Sequence, residues 1–275
     1  MSLSRLELDG LGSPVDIAAR IHELQPDLPL DFPIEQICSA LDIIAIDEVT
    51  TNGFEAALIM DPNKAMGSIL LAAERRPERQ RFSIGHKLGH FLIPTHLPRP
   101  GEPFECSLAD IQQVDTRELN RRKRVEAEAN KFAAQLLMSP KRVRAGMLSR
   151  QPDLRDIIRL AGDFAMSKEA MARAYVDAQR ATVAVLILKD GLLHRAYRGA
   201  DFPWIETVLG QPVPQDSIAH GHRLIPGEFS ESEECDPEVW FEVFNAARVE
   251  VITEQLYGQS FGFAMLLLHV ELADD

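Results

Sequence analysis

Residues 82–94 read FSIGHKLGHFLIP, an apolar run holding His86 and His90 four positions apart. Four positions is close to one helical turn, so a helix here sets both imidazoles on one side. The flanks agree. Pro77, in ERRPERQ, suits a first helical turn, where its missing N–H costs nothing, and Pro94 is a stop signal. The pattern predicts a helix from about Pro77 to Leu92, and whatever else the chain forms must accommodate that histidine face.

The rest of the 275 residues supplies an α+β setting. PVDIAARIHELQ (14–25) has helical apolar spacing, and PIEQICSALD reads as a short second helix. IIAIDEV (43–49) reads as a strand, and FEAALIM and GSILLAA flank the turn DPNKAM, predicting a hairpin over 54–73. Residues 95–113, rich in Pro and Gly, read as a loop carrying His96 and Cys106. A long helix is expected from Thr116 to Met138, then two helices over 152–179, DLRDIIRLAGDF and SKEAMARAYVDAQ. From 182 the pattern becomes strand-like. TVAVLILKDGLLHRAYR centres on Asp190-Gly191, a favoured two-residue hairpin turn. PGEFSESEECDPEVW (226–240) reads as an acidic loop, and VEVITEQLYG and FGFAMLLLHVEL as closing strands. The expected organisation is a domain over 1–150, a helical, helix-turn-helix-like segment over 151–180, and a small α/β domain over 181–275.

Two histidines at this spacing are what one zinc ion can bridge, and also what an ordinary surface pair looks like. A catalytic zinc site needs a third protein ligand. KRVEAEANKFAAQLLMSP offers Glu126 and Glu128. Glu126 and Asn130 share a stripe with Ala133 and Leu137, whereas Glu128 is turned roughly 160–200° away at ~100° per residue. Glu126 is therefore the expected ligand, Glu128 the solvent-facing residue, and Asn130 a candidate to orient the Glu126 carboxylate or to line the site.

Together the segments 82–94 and 126–140 resemble the two signature helices of the ImmA/IrrE-type metallopeptidases. There the first reads close to F-x-x-x-H-E-L-G-H and the second close to E-x-x-A-N-x-F-A-x-x-L-L-M-P; here Ser139 stands between Met138 and Pro140. The resemblance covers about residues 14–180. It implies a zincin-like (gluzincin-type) peptidase domain with a helical extension and Zn²⁺ held by His86, His90 and Glu126. Beyond 180 it implies only that such proteins often carry a GAF-like sensor domain; residues 181–275 read as such a sensor of an unidentified ligand, or as a purely structural cap. Members of this family cleave or otherwise inactivate a helix-turn-helix repressor after stress. Within the family the chain is most similar to the CapP type, the peptidase partner of the repressor CapH in anti-phage operons.

One letter departs from the pattern. Where the family has the general-base glutamate, this chain has Lys87. A glutamate there takes a proton from the attacking water and passes it to the leaving amine. A lysine ammonium has donors and no lone pair. Metal binding should survive, since position 87 supplies no ligand, while turnover should not. Either the natural protein is a pseudo-peptidase that sequesters its repressor, or the chain has been deliberately inactivated at this position. Cys106 is a candidate inhibitory fourth ligand, because a thiolate there would displace water; CapP-type proteins are thought to use such a switch. His96 reads as a solvated loop histidine, or as a decoy ligand or substrate contact.

Composition narrows the classes. A net charge of −13 opposes general DNA binding. The basic run Arg117, Arg121, Arg122, Lys123 and Arg124 reads as the solvated face of the second metal helix, with a contact to a phosphate or an acidic partner as the alternative. The helix pair over 152–179 lacks a basic recognition helix, so direct DNA binding is not expected. Three scattered cysteines fit a reducing cytoplasm, and no run is long enough to span a membrane.

Overall fold

The computed structural model describes residues 3–51, 53–97, 120–221 and 225–273, and the backbone of 104–106. The chain forms two compact units: residues 1–139 with 163–167, and residues 140–162 with 168–275.

The first unit is a four-stranded sheet backed by helices. α1 (Pro14–Leu24) begins at Ser13, whose hydroxyl accepts from the Asp16 N–H, and buries Ile17, Ala18 and Ile21. α2 (Ile34–Ala40) leads into β1 (Ile43–Val49). β2 (Ala56–Met60) and β3 (Gly67–Ala72) form the expected antiparallel hairpin. β1 joins it parallel to β3, on the side away from β2. β4 (Phe104–Cys106), inside the stretch expected to be loop, adds antiparallel to the free edge of β2, giving the order β1-β3-β2-β4.

α3 (Pro77–Leu92) carries Pro77 in its first turn. It packs on β2 and β3 and, beyond them, against α4 (Arg121–Leu137), which α1 also contacts. α4 starts at Asn120, whose side chain accepts from the N–H groups of Arg122 and Lys123. The expected start at Thr116 lies outside the described residues.

The second unit holds α5 (Pro140–Gly146), which the sequence reading missed, then α6 (Leu154–Asp163) and α7 (Lys168–Ala178). Its sheet is five-stranded and antiparallel in the order β6-β5-β9-β8-β7. β5 (Thr182–Lys189) and β6 (Leu192–Arg198) turn at Asp190 and Gly191, both at positive φ (51° and 79°), as the sequence requires. β7 (Glu233–Cys235) and a short 3₁₀ turn at Pro237–Val239 break up the acidic stretch expected to be loop. α8 (Val243–Ala246) precedes β8 (Val249–Gly258) and β9 (Phe263–Leu272).

β5 is buried from Val183 to Leu188. Leu186 and Leu188 enter a core with Trp240, Phe241, Leu266 and Leu268, so Val183, Val185 and Ile187 face the other way, and α7 packs on this strand. Fully buried Glu254 accepts from Trp240 Nε1–H at 2.6 Å and from the Ile218 N–H at 2.8 Å, which is how a carboxylate is tolerated in such a core. Gln255 accepts from the Leu154 N–H and donates to Asp153, joining the start of α6 to β8.

Candidate metal centre

α3 and α4 meet closely because α3 presents small residues to its partner. A Cβ built on Gly89 would lie 3.0 Å from Phe132 Cδ1 and 3.3 Å from the Ala129 backbone. The glycine next to His90 thus sets how near the two helices come, and with it the distance from the histidines to Glu126. The apolar residues Ile84, Leu88 and Phe91 of α3 and Ala129, Phe132, Ala133 and Leu136 of α4 are all buried.

Into this contact project His86, His90 and Glu126, each buried. His86 Nε2 lies 3.2 Å from Glu126 Oε2, His90 Nε2 lies 3.3 Å from the same oxygen, and the two Nε2 atoms are 3.1 Å apart. Three ligand atoms around one tetrahedral zinc, at bond lengths of ~2.0–2.1 Å, are ~3.3–3.4 Å from one another. The two nitrogens and one oxygen therefore form a donor triangle of nearly the size zinc takes, and the donor set suits it. Asn130, buried on α4, interacts with the His86 side chain and lines the site.

Charge in this enclosed volume follows from burial and pairing. Burial holds the His86 imidazolium below its ordinary range; Lys87 adds to this, and the Glu126 hydrogen bond opposes it. His90 is held well below its range, again chiefly by burial. Burial pushes the Glu126 carboxyl up, but its hydrogen bonds with His86 and His90 more than offset this and hold it well below the usual carboxylate range. The result is neutral imidazoles beside an ionised carboxylate, the protonation states that bind metal.

Lys87 is completely enclosed, 0% exposed. A second buried lysine, Lys64, occupies the β2–β3 turn. Its ammonium donates to the carbonyls of His90 (2.9 Å) and Ile93 (2.7 Å), closing the C-terminal end of α3. Burial, then the neighbouring Arg5, bring its pKa down to about 8.

Two residues depart from expectation. His96 is not a solvated loop residue: after α3 ends, the turn that brings the His96 N–H to the Ile93 carbonyl folds it back, 1% exposed, against the ligands. Its Nδ1 lies 3.2 Å from His90 Nδ1 and its Nε2 lies 2.9 Å from Glu128 Oε2. Burial lowers its pKa to about 4. Glu128 is accordingly not solvent-facing but three-quarters covered, with its carboxylate on His96. The spacing of residues along α4 carries no sign of this contact, because its partner returns from beyond α3. A histidine just past the Pro94 stop was the available signal. Arg121, Arg122 and Lys123 are exposed, as a solvated face should be. The Cys106 side chain and Arg117 lie outside the described residues.

No curated protein matches the chain significantly. A solved structure, a Mycobacterium tuberculosis transcriptional regulator, shares its fold at a TM-score of 0.53 and 12% identity, covering 94% of this chain and 75% of that one. Residues 51–175, which include α3, α4 and every residue of the donor triangle, match the family model of the IrrE N-terminal-like domain, a peptidase family.

Proposed function

We propose that the protein is the scaffold of a zinc-dependent endopeptidase acting on a helix-turn-helix repressor that controls a stress or anti-phage operon, as in the CapP type. The observation that carries this reading is the His86–His90–Glu126 donor triangle, enclosed inside an IrrE-like domain. The structural likeness to a transcriptional regulator supports a place in gene control. Zinc, when bound, supplies Lewis-acid activation of the scissile carbonyl and of the attacking water. His86, His90 and Glu126 would hold it, with Asn130 lining the site beside His86. Position 87 is where a carboxylate would take the proton from water and deliver it to the leaving amine; the ammonium of Lys87 can donate but cannot accept.

With Lys87 in place, we read this chain as one that binds metal and repressor without turnover. That favours a second reading, a pseudo-peptidase that sequesters the repressor. Lys87→Glu separates the two. On the peptidase reading it raises cleavage of the cognate repressor by ~10²–10⁴-fold, followed by gel and mass spectrometry. Undiminished repressor binding with no cleavage after Lys87→Glu selects sequestration. Cys106 as an inhibitory fourth ligand belongs to the same proposal, and Cys106→Ala in the Lys87→Glu background then raises basal cleavage. The five-stranded sheet packed on α7 supports reading the second unit as a GAF-like sensor of a small ligand.

A further inference from the structure

We infer that Glu128 and His96 form a positioning relay that fixes the tautomer of His90, so that its Nε2 lone pair stays aimed into the donor triangle. The inference rests on His86, His90 and Glu126 being the metal ligands. The contacts run in one line: Glu128 Oε2 to His96 Nε2 at 2.9 Å, His96 Nδ1 to His90 Nδ1 at 3.2 Å, then His90 Nε2 to Glu126 Oε2 at 3.3 Å.

Each contact admits one assignment once His90 ligates through Nε2. A neutral imidazole that gives its Nε2 lone pair to a metal carries its proton on Nδ1. His90 Nδ1–H therefore donates to His96 Nδ1, which must be the unprotonated nitrogen of that ring. The proton of His96 then sits on Nε2, and the hydrogen bond it makes there needs an acceptor. Glu128 supplies one, and an ionised carboxylate can only accept. The direction of the whole chain is thus set at its outer end. Without Glu128, His96 can turn its donor toward His90, which places the His90 proton on Nε2, inside the triangle. The device is a carboxylate–histidine pair behind a ligand histidine, assembled here from the segment after α3 and the outer side of α4.

The test is Zn²⁺ affinity of the full chain, measured by competition with a chromophoric chelator. His96→Phe, which keeps a ring in the buried space but offers no acceptor, weakens Zn²⁺ binding ~10–100-fold. Glu128→Ala weakens it in the wild-type background and has no further effect in the His96→Phe background, because Glu128 acts only through His96. Glu128→Gln keeps an acceptor oxygen and restores most of the loss. If His96→Phe does not fold, the two Glu128 variants carry the comparison alone. Long-range ¹H–¹⁵N spectra of the zinc-loaded protein should show the His90 proton on Nδ1 and the His96 proton on Nε2. Zn²⁺ binding that is lost in Glu126→Ala yet indifferent to His96→Phe and Glu128→Ala overturns the relay and leaves the metal site standing. A wild-type chain that takes up no Zn²⁺ overturns both.

Discussion

Glu126 lies within 3.3 Å of both His86 and His90, and His96 stands directly behind His90. Three imidazoles enclosed this completely stay neutral where exposed ones would charge. His96 has its pKa lowered to about 4 from an ordinary 6.5, and burial moves His86 and His90 the same way. Between those limits the unfolded chain binds protons that the native chain refuses. Native stability is therefore full above about pH 6.5 and is lost as pH falls toward 4, at about 1.4 kcal/mol per pH unit for each such histidine. Glu126 adds nothing in most of this window, since both its states are ionised until the unfolded carboxyl begins to titrate. Urea midpoints of the metal-free protein should hold from pH 7.5 to about 6.5 and fall from there to pH 5, more gently in His96→Phe. A flat profile would contradict the burial of these rings.

The contact between α3 and α4 is held by close approach as much as by apolar area. Gly89 sits against the backbone of Ala129, which cannot yield as a side-chain tip can. Gly89→Ala should overpack the contact at a cost of ~1–3 kcal/mol and, by pushing α4 away, weaken Zn²⁺ binding as well. Gly162, on the exposed side of α6, has nothing within 4 Å of an added Cβ. Gly162→Ala should stabilise by up to ~1 kcal/mol and leave metal binding unchanged. Thermal melts with and without Zn²⁺ check both. The same pair of helices shows what could be read beforehand. Histidine spacing, Pro77 and the inward stripe of Glu126 and Asn130 are local patterns, and they placed the donor triangle. The parallel pairing of β1 with β3 and the return of His96 to His90 depend on segments meeting across the fold, where no short-range period points. α5 is only seven residues long, too short for a helical period to stand out.

For the molecule as a whole, the first unit closes around a polar stretch of α3. α3 carries two histidines and a lysine through a hydrophobic interior, with Lys64 reaching in from the β2–β3 turn to secure its end. The second unit was legible in outline from the Asp190-Gly191 turn and its strand runs. Its central order β5-β9-β8 was not, because β9 pairs with β5 across some eighty residues of intervening chain.

The enclosure of Lys87 has a practical consequence. An amine with no exposed surface cannot meet an acylating reagent while the fold is closed, so it is labelled only in the fraction of time its surroundings open. Its modification rate, followed peptide by peptide against the exposed Lys123, should be slowest in the native protein and slower still with Zn²⁺ or a bound repressor. A rate equal to that of Lys123 would contradict the enclosure. The residue that removes the general base thus also serves as a clock for the opening of the site.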